Sequence, residues 1–258
     1  DEIIKSLKTD KPSIAFYLMK ETGLLAYVFP ELNIMSGIDV IDGKGHKDVF
    51  IHTLQVVDNA AKLTPNMAVR FAALVHDIAK PRTKHFDKKK GWTFHGHDEI
   101  GQRMLKKVAQ RMKLSNQLRD FLMLLTKLHL RPITLAMEGI TDSAVRRVMV
   151  EAGEHIDDLM MLCRADITTK NPKLVKKYMG NFERVEKIMK DVKLRDEMQA
   201  FQSPVRGEEI MEVLKLKPGR EVGKIKKAIE DAILDGEIEN AYDAAYAFMI
   251  KNKDAILA

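Results

Sequence analysis

The 258-residue chain holds one cysteine, and its aromatic content is 6%; each shortage excludes something. A single thiol, Cys163, forms no internal disulfide and points to a cytoplasmic home. With Trp92 as the only tryptophan, a stacking platform for single-stranded nucleic acid is not expected. No apolar run approaches the roughly 20 residues of a membrane span, so no membrane partner is expected. The amphipathic, acidic start Asp1-Glu2-Ile3-Ile4 does not suit a signal peptide. The chain lacks an initiator methionine, which reads as a trimmed piece of a longer protein. β-branched alternation is scarce as well, and this argues against a sheet-rich fold.

What is present is helix-forming: Leu, Met, Ala, Lys and Glu dominate. The expected class is therefore all-α. A first helical region runs through Ser13 to Tyr27 and closes at Phe29-Pro30, and a loop rich in Gly and Asp follows. Helices are expected near 48–63, 67–80, 97–113, 115–130, 141–152, 155–169, 173–191, 206–214, 221–234 and 240–251. Residues 80–96 read as a loop or short hairpin around Gly91-Trp92-Thr93. Thr141 or Asp142 can cap one helix, and Gly153 can stop it. The net charge of +6 allows a polyanionic partner without requiring one.

The chemistry concentrates around His76-Asp77. The run from Phe71 to Lys80 is apolar nearly all round, so its helix is expected to be buried, and a buried Asp needs a partner. Other polar groups sit in similar settings. His129 shares a stripe with Leu118, Leu122 and Leu125, and Asp166 with Leu159, Leu162 and Cys163. His97 heads a stripe through Gly101, Met104, Leu105 and Val108, while His52 lies among Ile51, Leu54, Val56 and Val57. Singly, each has an ordinary reading: a hydrogen-bonded core histidine, or Asp166 paired with the nearby Arg164. Together, five helices aim imidazole or carboxylate groups at one interior. Mixed His and Asp ligands suit a divalent metal, which would acidify a water and polarise a phosphoryl oxygen.

The spacing His52, His76-Asp77, Asp166 resembles the signature of the HD superfamily. The run His76-Asp77-Ile78-Ala79-Lys80-Pro81 resembles its HDIGKP stretch, with Ala79 where Gly is usual. The resemblance implies a multi-helix HD bundle in which His52, His76, Asp77 and Asp166 bind a divalent metal. His97 and His129 fall where some members hold a second ion. Whether Ni, Mn, Co, Fe, Zn or Mg is bound, and whether one ion or two, is left open. Lys80 is expected to contact substrate phosphate, although a solvated helix-end lysine is the alternative. Asp77 and Lys80 are the candidate catalytic residues. His46 and Arg82 are candidates for substrate binding beside Lys80, His95 lies near the mouth, and His85 and His155 are read as surface residues.

The flanks resemble bacterial tRNA nucleotidyltransferases and poly(A) polymerases: Ile14 through Leu32, Gly45-His46-Lys47-Asp48, Asp142 through Arg147, Arg206 through Met211, and Pro218 through Gly223. This implies three parts: 1–36, a helical connector from a nucleotidyltransferase head; 37–170, the HD metal-binding domain; and 171–258, a helical C-terminal region. The head is missing here, since nucleotide addition in that family uses an Asp-x-Asp pair and the chain has none. The run Gly219 to Lys224 is no phosphate loop, because it has the wrong spacing and no Ser or Thr follows the lysine. The leading expectation is a metal-dependent phosphohydrolase: a phosphatase or 2′,3′-cyclic phosphodiesterase acting on nucleotides or RNA ends. The rival is a tRNA-binding module serving the absent head, favoured by the basic stretches 80–90, 173–177 and 215–227. A regulatory domain with a vestigial site is the weakest reading, given intact ligands.

Overall fold

The computed structural model describes residues 2–136, 141–200 and 203–257. The chain is helical nearly throughout. The elements are α1 (Glu2–Leu7), α2 (Ser13–Glu21), α3 (Leu25–Val28), α4 (Pro30–Asn33), β1 (Val40–Ile41), β2 (Lys44–Gly45), α5 (Val49–Leu63) and α6 (Met67–Val75). Then come α7 (Lys80–Thr83), β3 (His85–Asp87), β4 (Gly91–Thr93), α8 (His97–Arg111), α9 (Asn116–Leu128), α10 (Arg131–Leu135), α11 (Asp142–Ala152) and α12 (Ile156–Ala165). Last are α13 (Pro172–Ala200), α14 (Gly207–Leu214), α15 (Arg220–Leu234) and α16 (Tyr242–Leu257). No helix among the described residues is long and apolar enough to cross a membrane.

Two compact units form, residues 1–190 and 191–258. The sequence reading places its last boundary at 170/171. Helix α13 begins just there, and the division between units falls within it.

In the first unit α6 is the centre. Val69 through Val75 are all buried, Arg70 among them, and α1, α5, α9 and α12 pack around this helix. A helix apolar on every side has no solvent face to keep and so goes inside. Its neighbours are one-sided. Helix α8 buries Gly101, Met104, Leu105 and Val108, the stripe read from the sequence. On α5, Leu54, Val56 and Val57 are buried as expected, whereas Ile51 faces outward at 37% exposure. Side-chain caps open several helices: Asp48 accepts from Ile51 N–H, Asn66 from Ala68 N–H, Ser115 from Leu118 N–H and Thr141 from Ala144 N–H. Gly101 lets α8 and α9 approach closely; a Cβ there would stand 2.9 Å from Thr126 Cγ2.

Three local expectations are revised. The helix expected over 67–80 stops at Val75. The chain then tightens into three-residue turns, with Ile78 N–H donating to Val75 O and Lys80 N–H to Asp77 O, and Pro81 without an N–H opens α7. The loop after Ser36 contains a hairpin, β1 against β2, turned by Asp42-Gly43, both at positive φ. Helix α10 was not expected at all. Within 80–96 a hairpin does form, over residues 85–93, with His85 opposite Thr93 and Phe86 opposite Trp92.

The second unit has its own core, in which Ile210, Ile225, Ile229, Ala245 and Met249 from α14, α15 and α16 are buried together.

Candidate metal centre

The candidate ligands sit mostly at helix ends. His76, His129 and Asp166 are the residues that close α6, α9 and α12; His97 is the first residue of α8; His52 lies one turn into α5. A helix end leaves backbone carbonyls without helical partners, and the imidazoles use such groups. His76 Nδ1 lies 2.8 Å from Ala73 O, and His129 Nδ1 lies 2.6 Å from Thr126 O. His97 Nδ1 is 2.7 Å from Phe94 O, again three residues earlier. His52 Nδ1 faces Thr168 Oγ1 at 3.1 Å. A proton fixed on Nδ1 by a carbonyl leaves the Nε2 lone pair free to bind a cation, and these Nε2 atoms turn toward one point.

That point is Asp77, which is fully buried. Its Oδ2 lies 3.2 Å from His76 Nε2, 3.5 Å from His52 Nε2 and 2.6 Å from Lys80 Nζ. Its Oδ1 faces the other way, 3.4 Å from His97 Nε2 and 3.8 Å from His129 Nε2. Asp166 Oδ1 completes the first side, 2.9 Å from His52 Nε2 and 3.6 Å from His76 Nε2. Two clusters thus share one carboxylate: His52, His76 and Asp77, and Asp77, His97 and His129.

The residues fit a divalent cation. His76 Nε2, Asp77 Oδ1 and Asp166 Oδ1 are buried polar atoms whose near contacts do not form well-aligned hydrogen bonds, a costly state unless something else binds them. Ligands held about 2.0–2.2 Å from one ion stand roughly 3–4 Å apart, and the separations above lie in that range. Electrostatics agrees. Burial opposes charge on His76, yet the carboxylates of Asp77 and Asp166 outweigh it and lift the imidazole to about 10. Against the same burial, His76 and Lys80 hold Asp77 well below the usual carboxylate range. His129, by contrast, is driven down to about 4 by burial and by its neighbour His76. The carboxylates call for positive charge, and a dication answers the same demand.

His52, Lys80 and Asp166 also line a cleft of about 640 Å³ whose remaining wall includes Lys47, Phe94, Ile133, Tyr178 and Asn181. Lys80 starts the short α7, a turn beyond the end of α6, and its ammonium lies 5.8 Å from the Phe94 ring centre. Arg164, weighed as a partner for Asp166, pairs instead with Glu186 at 2.7 Å. Cys163 donates to His129 O at 3.1 Å, and burial pushes its thiol up. Ala79 has φ −95° and ψ −4°, open to any residue, so the departure from the usual Gly strains nothing.

Two sequence candidates stand apart. His46 sits edge-on to Trp92 and Phe94, with its Nε2 accepting from Asp39 N–H and its Nδ1 2.8 Å from Lys47 O, so both nitrogens are occupied. Arg82 is exposed on α7 and does not line the cleft. His85 and His95 are exposed, whereas His155 is half-buried between Phe121 and Asp158. Sequence reasoning missed Thr168, Tyr178 and Asn181. Only the i, i+4, i+7 spacing of Leu174, Tyr178 and Asn181 on α13 could have hinted at a shared face.

The HD domain family matches residues 49–171. The family described as "Probable RNA and SrmB- binding site of polymerase A" matches residues 1–35. The chain is similar to the Multifunctional CCA protein of Vibrio campbellii (strain ATCC BAA-1116), with 32% identity over 168 residues. The match covers 63% of this chain and 40% of that relative, so the chain spans well under half of the relative's length.

Proposed function

The chain belongs to the HD-domain proteins of the tRNA nucleotidyltransferase and poly(A) polymerase family, and on that premise we propose that it is a metal-dependent phosphohydrolase. The activity would be that of a phosphatase or 2′,3′-cyclic phosphodiesterase on nucleotides or RNA ends. One observation carries the reading: five helices bring four imidazoles and two carboxylates together, and two of these groups, His52 and Asp166, line a cleft beside Lys80. His52, His76, Asp77 and Asp166 would hold one cation, and His97 and His129 would share Asp77 for a second. A bound divalent ion supplies Lewis acidity toward a phosphoryl oxygen and lowers the pKa of water beside it. Lys80 would steady the phosphate, and Asp77 would take the proton of the attacking water, which leaves with the departing alcohol. His76 and His129, tied at Nδ1, keep their orientation while this happens.

Exhaustive chelation is expected to abolish ring opening of adenosine 2′,3′-cyclic monophosphate and phosphate release from adenosine 2′-monophosphate, and re-addition of Mn, Co, Ni, Fe or Zn to restore both. Elemental analysis should then find roughly one to two equivalents of metal per chain. A chain that takes up none of these ions on reconstitution would sink the hydrolase reading.

A second reading is supported by the match at residues 1–35 and by the β3–β4 hairpin: RNA binding on behalf of a nucleotidyltransferase head lying in the part of the relative that this chain does not cover. The hairpin tip exposes Lys88, Lys89 and Lys90, while Asp87 accepts from the backbone of Lys89 and Lys90 and so shapes the turn. Phosphate contacts release counterions, so tRNA affinity should fall steeply with salt, and Lys88→Ala/Lys89→Ala/Lys90→Ala should flatten the log–log slope by roughly 2–3. An unchanged slope in a filter-binding titration would remove the hairpin from the interface.

A further inference from the structure

Resting on the hydrolase reading, we infer that the cleft wall formed by α13 is a nucleoside subsite: the base of a nucleotide lies against Tyr178 with its edge on Asn181, while its phosphate reaches the His–Asp centre. A cleft of about 640 Å³ falls within the roughly 300–1,000 Å³ of sites that enclose whole small molecules. A phosphate at His52, Asp166 and Lys80 fills only one end of it.

Away from the ligands the wall turns apolar and aromatic. Ile133, Leu174 and Tyr178 line it while remaining 45%, 37% and 40% exposed, so apolar surface faces solvent where a flat partner could cover it. Asn181 stands one turn from Tyr178 on the same helix face and is half-buried. Its carboxamide offers both a donor and an acceptor and is spent on no other described residue. Base edges present that pair of functions, whereas a lipid or alkyl phosphate does not.

Phe182 also lines the cleft from α13 and is buried, as are Val185 and Met189 further along the helix. The Arg164–Glu186 ion pair, at 2.7 Å, ties α13 to α12, the helix that Asp166 closes, so the wall is linked to an element that carries a candidate ligand.

The test compares adenosine 2′-monophosphate with methyl phosphate, an ester of the same class without a nucleoside, on manganese-loaded protein. Asn181→Leu and Tyr178→Ala are expected to lower the ratio of the two kcat/KM values roughly tenfold, the scale of one lost hydrogen bond or base stack. The change should lie in KM. An unchanged ratio overturns the subsite, provided metal content and melting temperature match the wild type. If neither ester is hydrolysed, the hydrolase reading fails by itself, and calorimetric titration with adenosine 2′-monophosphate decides the subsite. Binding weakened in both variants supports it; no binding by wild type, or equal binding by all three proteins, overturns it.

Discussion

Asp77→Ala is expected to yield a protein with no bound metal and with phosphate-ester hydrolysis reduced on the order of a thousandfold. The size follows from what the carboxylate joins. Its Oδ2 faces His52 and His76 while its Oδ1 faces His97 and His129, so one substitution removes a ligand from both clusters. A Lewis acid supplies several kcal/mol to a phosphoryl-transfer barrier, and at about 1.4 kcal/mol per tenfold this is roughly three decades. His129→Ala is the comparator, because it touches only the Oδ1 side and should cost no more than one equivalent of metal. Elemental analysis on proteins purified without metal-affinity capture separates the cases. Wild-type metal content in Asp77→Ala would remove Asp77 from the ligand set. A melting curve taken alongside shows whether lost metal reflects a lost ligand or a lost fold.

Arg70→Met should destabilise the first unit by about 3 kcal/mol without touching the site. Arg70 is 7% exposed, and its guanidinium donates to four backbone carbonyls: Leu7 O at 2.8 Å, Thr9 O at 3.0 Å, Ala61 O at 3.0 Å and Thr64 O at 2.8 Å. No carboxylate is among these partners, so carbonyl dipoles alone balance a buried cation. Methionine keeps much of the volume but leaves the carbonyls unpaired, and a charged hydrogen bond contributes about 1.5–3 kcal/mol. The regained hydration of the lost charge offsets part of the sum. For a unit of this size the melting temperature should fall by roughly 6–12 °C. A shift within about 2 °C would show that water replaces the guanidinium at no cost. Because Arg70 ties Leu7 and Thr9 to the α5–α6 link, proteolysis near the N-terminus should accelerate in the variant.

Arg70 also marks where reading the chain by itself stops. Among Val69, Phe71 and Ala72 it looks like an interruption of an apolar helix, and nothing nearby in sequence announces four carbonyl acceptors. Asp166 beside Arg164 invited a local ion pair, yet Arg164 reaches Glu186 and Asp166 meets His52. His46, close in sequence to a ligand helix, is tied up by Asp39 and Lys47. The end of α6 at Val75 could not be placed by periodicity, because an apolar pattern continues through Ile78 and Ala79 while the backbone turns.

What the sequence determined by itself is the helical class, the buried character of α6, and the set of polar side chains stranded on apolar stripes, His52, His76, Asp77, His97, His129 and Asp166. These are legible because helical period and burial are local properties: a charged or imidazole group on an inward face needs a partner wherever it lands. Tertiary structure decided which partner each one receives. It brought both oxygens of Asp77 between two pairs of imidazoles, set Thr168 behind His52, and closed the cleft with Tyr178 and Asn181 from a helix that sequence had assigned to another region. The His52–Thr168 contact alone joins residues 116 positions apart. Such meetings depend on how packed helices cross, with Gly101 letting α8 and α9 close on each other, and no short-range pattern encodes that distance.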